Sequence, residues 1–98
     1  MKHSKLFIFA IMTTLAVSGC KHQAATYPTD TLTTKNGSQL TITFFKHASL
    51  AIETEGRHIY IDPISQYADY ASLPKADLIL ITHSHYDHLD SAAVAALS

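Results

Sequence analysis

The chain is predicted to fold as a mixed α/β (α+β) domain, β-rich first and helical only at the end. Three observations predict it. Short segments of strand character fill residues 39–61, a continuous apolar run covers residues 78–81, and a helix-forming stretch begins only after residue 90. Between that run and the helix lies Thr82-His83-Ser84-His85-Tyr86-Asp87-His88-Leu89-Asp90, in which three histidines and an aspartate fall close together. The 98 residues suffice for one small domain at most.

The N-terminus is read as export rather than fold. Met1-Lys2-His3-Ser4-Lys5 is a short basic start, an apolar run follows over residues 6–17, and Val17-Ser18-Gly19-Cys20 closes it. A basic segment, a short apolar core and small residues at the cut make a secretory signal, and the run is too short to span a bilayer well. Val17-Ser18-Gly19-Cys20 resembles a bacterial lipobox, in which Cys20 is lipidated and becomes the first mature residue. The plainer alternative is an ordinary signal with a chance cysteine. The expected organisation is therefore a signal over 1–19, a flexible tether over 20–37 and a folded domain over 38–98. On this reading the protein is exported and lipid-anchored through Cys20 to the cell envelope, facing the periplasm or in the outer membrane. Several acyl chains would hold it firmly, each buried methylene contributing about 0.8 kcal/mol.

Charge and cysteine content exclude other classes. Seven basic residues stand against eight acidic ones, and the signal carries two of the lysines away, so no basic patch suggests nucleic acid. One cysteine gives neither a disulfide framework nor a thiolate metal site. No repeat or low-complexity segment is visible, and oligomeric state is not legible.

Residues 21–35 are polar, Thr- and Ala-rich and without period, ending in the turn signal Asn36-Gly37. Leu40, Ile42 and Phe44 alternate with Thr41 and Thr43, which predicts a half-buried strand. Residues 49–53 predict a second strand, Glu55-Gly56 a turn, and residues 57–61 a third, together an antiparallel meander. Asp62-Pro63 stops the third strand, because proline donates nothing to a ladder. Residues 64–74 form a connection with room for a helical turn, and residues 78–81 are expected to be a strand buried on both faces. Asp90 or Ser91 is placed to cap the helix that follows.

The cluster carries the chemistry. Imidazole and carboxylate donors suit borderline divalent ions, with zinc favoured and manganese or iron as alternatives. His83 and His85 stand two apart and share a side of an extended backbone, Asp87 continues that parity, and His88 needs a turn of the chain to join them. One ion can take His83 and His85, and a second Asp87 and His88. Two ions about 3.5–4 Å apart bind a shared hydroxide, and coordination lowers the pKa of water toward about 7. Two protein donors per ion are too few, since a catalytic zinc takes three.

His83-Ser84-His85-Tyr86-Asp87-His88 after a strand is the His-x-His-x-Asp-His pattern, and through it the chain resembles the metallo-β-lactamase superfamily. Residues 46–53, 59–63 and 75–82 extend the resemblance to one branch. That branch holds metal-dependent hydrolases similar to ascorbate-6-phosphate lactonase and N-acylphosphatidylethanolamine phospholipase D. The similarity covers residues 39–98. It implies the N-terminal half of an αββα sandwich, with two metals at the sheet edge. It also implies that His83 and His85 hold one ion, and Asp87 and His88 the other, with further ligands from later sequence. Asp87 gains a second implied role as proton acceptor. The chain is then the first part of a longer product and holds half a site.

Other residues are weighed on both sides. Asp62 is either a strand-ending turn residue or a carboxylate that orients a ligand. His47 is either a structural histidine at a strand end or a neighbour of the metals; the branch has glycine before this histidine, where this chain has Lys46. His58 reads as solvated, His22 as an inert tether residue, and Tyr67, Tyr70 and Tyr86 as packing, although Tyr86 lies inside the metal loop. The leading expectation is a lipid-anchored hydrolase acting on a small-molecule or lipid-like substrate, in which metal-bound hydroxide attacks a phosphodiester, lactone or similar bond. The alternatives are an envelope zinc-binding lipoprotein without catalysis and an inactive truncated fragment.

Overall fold

The computed structural model describes residues 26–98. The expected signal over 1–19, its Cys20 and His22 lie outside the described residues. Five strands, β1 (Thr29–Thr33), β2 (Gln39–Lys46), β3 (Ser49–Thr54), β4 (Arg57–Ile61) and β5 (Leu78–Leu80), precede one helix, α1 (Ser91–Leu97). They form one sheet in the order β1-β2-β3-β4-β5. The first four run antiparallel, and β5 returns parallel to β4.

The meander follows its local signals. At the β3–β4 turn Glu55 and Gly56 both have positive φ, 51° and 76°, as a two-residue turn of the type whose twist suits a hairpin requires. The β1–β2 turn contains Gly37 at φ 90°, closed by hydrogen bonds from Gly37 N–H to Thr34 C=O and from Thr34 N–H to Ser38 C=O. A parallel neighbour demands a crossover, and residues 62–77 supply it, with a 3-10 turn at Tyr70–Ser72.

Two expectations need correction. The segment expected as a tether over 20–37 contributes β1, which pairs with β2 from Thr29↔Thr43 to Thr33↔Gln39. Its five residues, Thr-Asp-Thr-Leu-Thr, are all exposed, so it has no hydrophobic period to betray it. Three β-branched threonines nonetheless suit an edge strand whose stability comes from the ladder. The expected two-sided burial of residues 78–81 also fails: Leu78 is 48% and Leu80 46% exposed, with only Ile79 turned to the core between them.

The reason is that the sheet is covered on one face only among the described residues. The crossover and α1 lie over the face that carries Phe45, Ala51, Tyr60 and Ile79, and the core there is Tyr60, Ala68, Tyr70, Ala93 and Leu97. Tyr60 also donates its hydroxyl to Pro74 C=O at 2.7 Å, tying the crossover to the sheet. The register puts Leu40, Ile42, Phe44, Leu50, Ile52, Ile59, Ile61, Leu78 and Leu80 on the opposite face. That face is the apolar ladder which the alternation in residues 40–44 announced.

Asp90 fixes how α1 meets this layer. It is the N-cap, accepting from Ala92 N–H at 3.0 Å through Oδ1 and from Ser65 N–H at 2.7 Å through Oδ2. The Ser65 amide comes first among the causes that hold its carboxyl below the ordinary carboxylate range. Asp90→Ala is therefore expected to destabilise the fold by about 1–2 kcal/mol at neutral pH. A carboxylate with a lowered folded pKa stabilises above its unfolded value of about 3.9 and loses that contribution as pH falls through the folded one. Urea unfolding at pH 7 and at pH 3 should show the gap between wild type and variant narrowing at the lower pH.

Candidate metal centre

The site forms where three chain segments reach the same end of the sheet. β4 and β5 run parallel and deliver Asp62 and Thr82 from adjacent C-terminal ends. The β2–β3 turn, His47-Ala48, opens at the same end because Leu50 of β3 pairs with Ile61 of β4. Loops beyond the carboxyl ends of parallel strands are a common location for ligand sites.

Asp62 is the anchor. It is fully buried at 0% exposure, has a positive φ of 46°, and every polar atom it offers is used. Its N–H donates to Leu80 C=O at 2.9 Å, and its own C=O accepts from Ser49 Oγ at 2.6 Å. Oδ1 accepts from Thr82 N–H at 2.7 Å, while Oδ2 accepts from Thr82 Oγ1 at 2.6 Å and meets His88 Nδ1 at 2.7 Å. Burial by itself pushes this carboxyl up, but the bonds from Thr82 and His88 outweigh it and hold the group below its ordinary value. An ionised carboxylate only accepts, so His88 Nδ1 carries the proton and its Nε2 lone pair is free. His83 is fixed in the same way. Thr82 spends its one hydroxyl proton on Asp62, so at 3.1 Å it accepts from His83 Nδ1, which leaves His83 Nε2 free as well.

The loop itself brings the donors together. His88 and Leu89 both donate backbone N–H to His85 C=O at 2.9 Å, which is the turn His88 needs to fold back. The His83 and His88 rings then lie 3.8 Å apart between centroids, and those of His83 and His85 4.8 Å. Two three-donor groups result, His83 with His85 and Asp87, and His47 with Asp87 and His88; within each, the donor atoms all lie within 4.8 Å of one another. Asp87 belongs to both and so stands between the two imidazole pairs.

All four motif residues therefore converge, as does Asp62. His47, open between two roles in the sequence, sits beside the cluster with Nε2 3.3 Å from Asp87 Oδ2. His58 is at the far end of β4, with its N–H bonded to the Asp77 carboxylate. Tyr67 and Tyr70 belong to the crossover, while Tyr86 is 89% exposed on the loop and packs against nothing that would make it core. Thr82 and Ser49 escaped the sequence reading. Their only signal was position, one directly before the first motif histidine and the other following His47-Ala48.

Imidazole nitrogens and a carboxylate, with second ring nitrogens pinned by hydrogen bonds, fit a borderline divalent ion. An α+β sheet ending in such a cluster presents a candidate site for a divalent ion. The comparison with known proteins agrees: residues 41–96 match the model of the beta-lactamase superfamily domain, and the chain belongs to that family. It is 50% identical over 60 residues to a UPF0173 metal-dependent hydrolase of Flavobacterium johnsoniae, covering 55% of this chain and 27% of the relative. A similarly named protein of Aeropyrum pernix is 39% identical over 66 residues, covering 56% and 25%. A crystal structure of a protein described as a metal-dependent hydrolase, from Parabacteroides distasonis, superposes with a TM-score of 0.72 at 51% identity, covering 74% of this chain and 33% of that one. The chain thus spans between a quarter and a third of the length of these relatives.

If Asp62 sets the His88 tautomer, Asp62→Asn should weaken divalent-metal binding about 10- to 100-fold. Isothermal titration with zinc measures this, and circular dichroism should show the β-signature retained.

Proposed function

We propose that the protein acts as a metal-dependent hydrolase on an ester-type bond, a phosphodiester, lactone or similar, in a small-molecule or lipid-like substrate. The convergence of His83, His85, Asp87 and His88 on one end of the sheet, backed by Asp62, carries this reading. A bound divalent ion, zinc above manganese or iron, would supply Lewis acidity and bring the pKa of water toward about 7. His83 and His85 offer donors on one side of Asp87, and His88 on the other. Asp87, 34% exposed and between them, is the group placed to hold a proton as well as a charge. Thr82 and Asp62 keep His83 and His88 in the tautomers that donate Nε2.

The relatives' greater length supports a further proposal, that the remaining ligands and the pocket walls come from sequence beyond what aligns with these 98 residues. The sequence resemblance to the ascorbate-6-phosphate lactonase and N-acylphosphatidylethanolamine phospholipase D branch supports an ester-type substrate, and a β-lactam does not follow from the fold, which alone does not set the substrate. Non-catalytic zinc capture is the competing reading.

Metal content and hydrolysis of a generic phosphodiester and a lactone, measured on protein of the relatives' length, decide between them. Hydrolysis should vanish on chelation and return with zinc or manganese, and His85→Ala and Asp87→Ala should each lower it at least 100-fold. Metal uptake without hydrolysis would favour capture, and unchanged values in both variants would remove the assignment.

We further propose export and lipid anchoring through Cys20, supported by the lipobox-like Val17-Ser18-Gly19-Cys20. Among the described residues no helix is long and apolar enough to cross a membrane. Labelled palmitate should enter the wild-type chain in a bacterial host and not Cys20→Ser.

A further inference from the structure

We propose that His47 is itself a metal ligand, completing with Asp87 and His88 a three-donor cation site drawn entirely from this chain. The proposal rests on the reading of the 83–88 loop as metal-binding, and goes beyond it by adding a donor from outside the motif.

Backbone geometry makes the first argument. His47 and Ala48 are the two-residue loop between β2 and β3, closed by the Lys46↔Ser49 pair. His47 has φ 56°, whereas Ala48 is not among the residues of positive φ. Glycine is the residue at ease in that first position of a hairpin loop. A histidine held there is a strained choice, and such strain concentrates where a side chain is needed. The register shift between Phe44 and Lys46 works in the same direction, because a bulge at a strand end re-aims the side chains beyond it.

The distances make the second. His47 Nε2 lies 3.3 Å from Asp87 Oδ2, and His88 Nε2 lies 3.6 Å from the same oxygen. Donors about 2.0–2.1 Å from a tetrahedral zinc sit about 3.4 Å from one another. The two observed separations bracket that value, and the remaining donor pair lies within 4.8 Å. The His47 and His88 rings are tilted at 53° with centroids 5.3 Å apart, so they approach the shared oxygen from different directions. Three protein donors with a fourth position open is the coordination of a catalytic rather than a structural zinc. His47 is 50% exposed, which leaves that fourth position reachable from solvent.

Cobalt(II) titration of the 98-residue chain, followed by its visible ligand-field bands, tests this. His47→Gly removes the donor and also the strain, so it should melt at the same temperature as wild type or higher. It should bind cobalt at least tenfold more weakly, with shifted bands. His47→Asn, which tolerates positive φ, serves as the second variant. If His47→Gly keeps affinity and spectrum while Asp87→Ala loses both, His47 is no ligand, and the metal reading of the loop stands without it. If Asp87→Ala and His88→Ala also leave cobalt binding unchanged, the loop reading falls and takes this proposal with it. Unfolding of both His47 variants by circular dichroism would make the residue structural and overturn the proposal.

Discussion

A single buried carboxylate holds the candidate centre together. Asp62 has no solvent to satisfy it, so its charge has to be met by protein donors, and Thr82 and His88 are the groups that meet it. That obligation fixes the strand ends relative to one another, the path of the loop after β5, and the proton position on two imidazoles. Ser49, through its bond to the Asp62 carbonyl, ties β3 into the same knot. Removing one partner from such a network leaves a buried polar group unpaired, which is why its members act as a unit.

The sheet supplies the rigidity that this network needs. Its helix-covered face holds Tyr60 at the centre, stacked edge-on with Tyr70, which in turn meets Phe45. Aromatic edge-to-face contacts of this kind fix orientation as well as bury area. β4 and β5 are thereby held side by side; Asp62 directly follows β4, and Thr82 comes two residues after β5 ends. His83 and His85 are exposed while Asp87 and His88 are only partly buried, so the placement of these donors leans on this backing.

Much of this was legible in the chain, for identifiable reasons. Glu55-Gly56 and the alternation at Leu40, Ile42 and Phe44 are local signals, and they specified the meander without help from distant residues. Asp90 announced the helix start in the same way. The motif histidines were visible because their density after an apolar run has few other physical explanations. β1 was invisible because its exposed Thr-Asp-Thr-Leu-Thr earns its conformation from β2, a partner that composition does not reveal. The exposure of Leu78 and Leu80 is not legible because an apolar run reports what a strand can bury and says nothing of which neighbours are at hand. Thr82 and Ser49 are common residue types whose role exists only once Asp62 is folded between them. The sequence leaves His47 between two roles, and only its φ and its distance to Asp87 separate it from an ordinary turn histidine.

Strand order along the sheet equals strand order along the chain, so each new strand needs only its predecessor as a template. Loop closure between such neighbours is entropically mild, and topologies built this way form quickly. During synthesis the β2–β3 hairpin with His47 can pair first, β4 then brings Asp62 to its side, and β5 adds the histidines last. Assembly in that sequence would present a preformed cradle to the incoming loop, rather than leaving four imidazoles to search for one another in an open polypeptide.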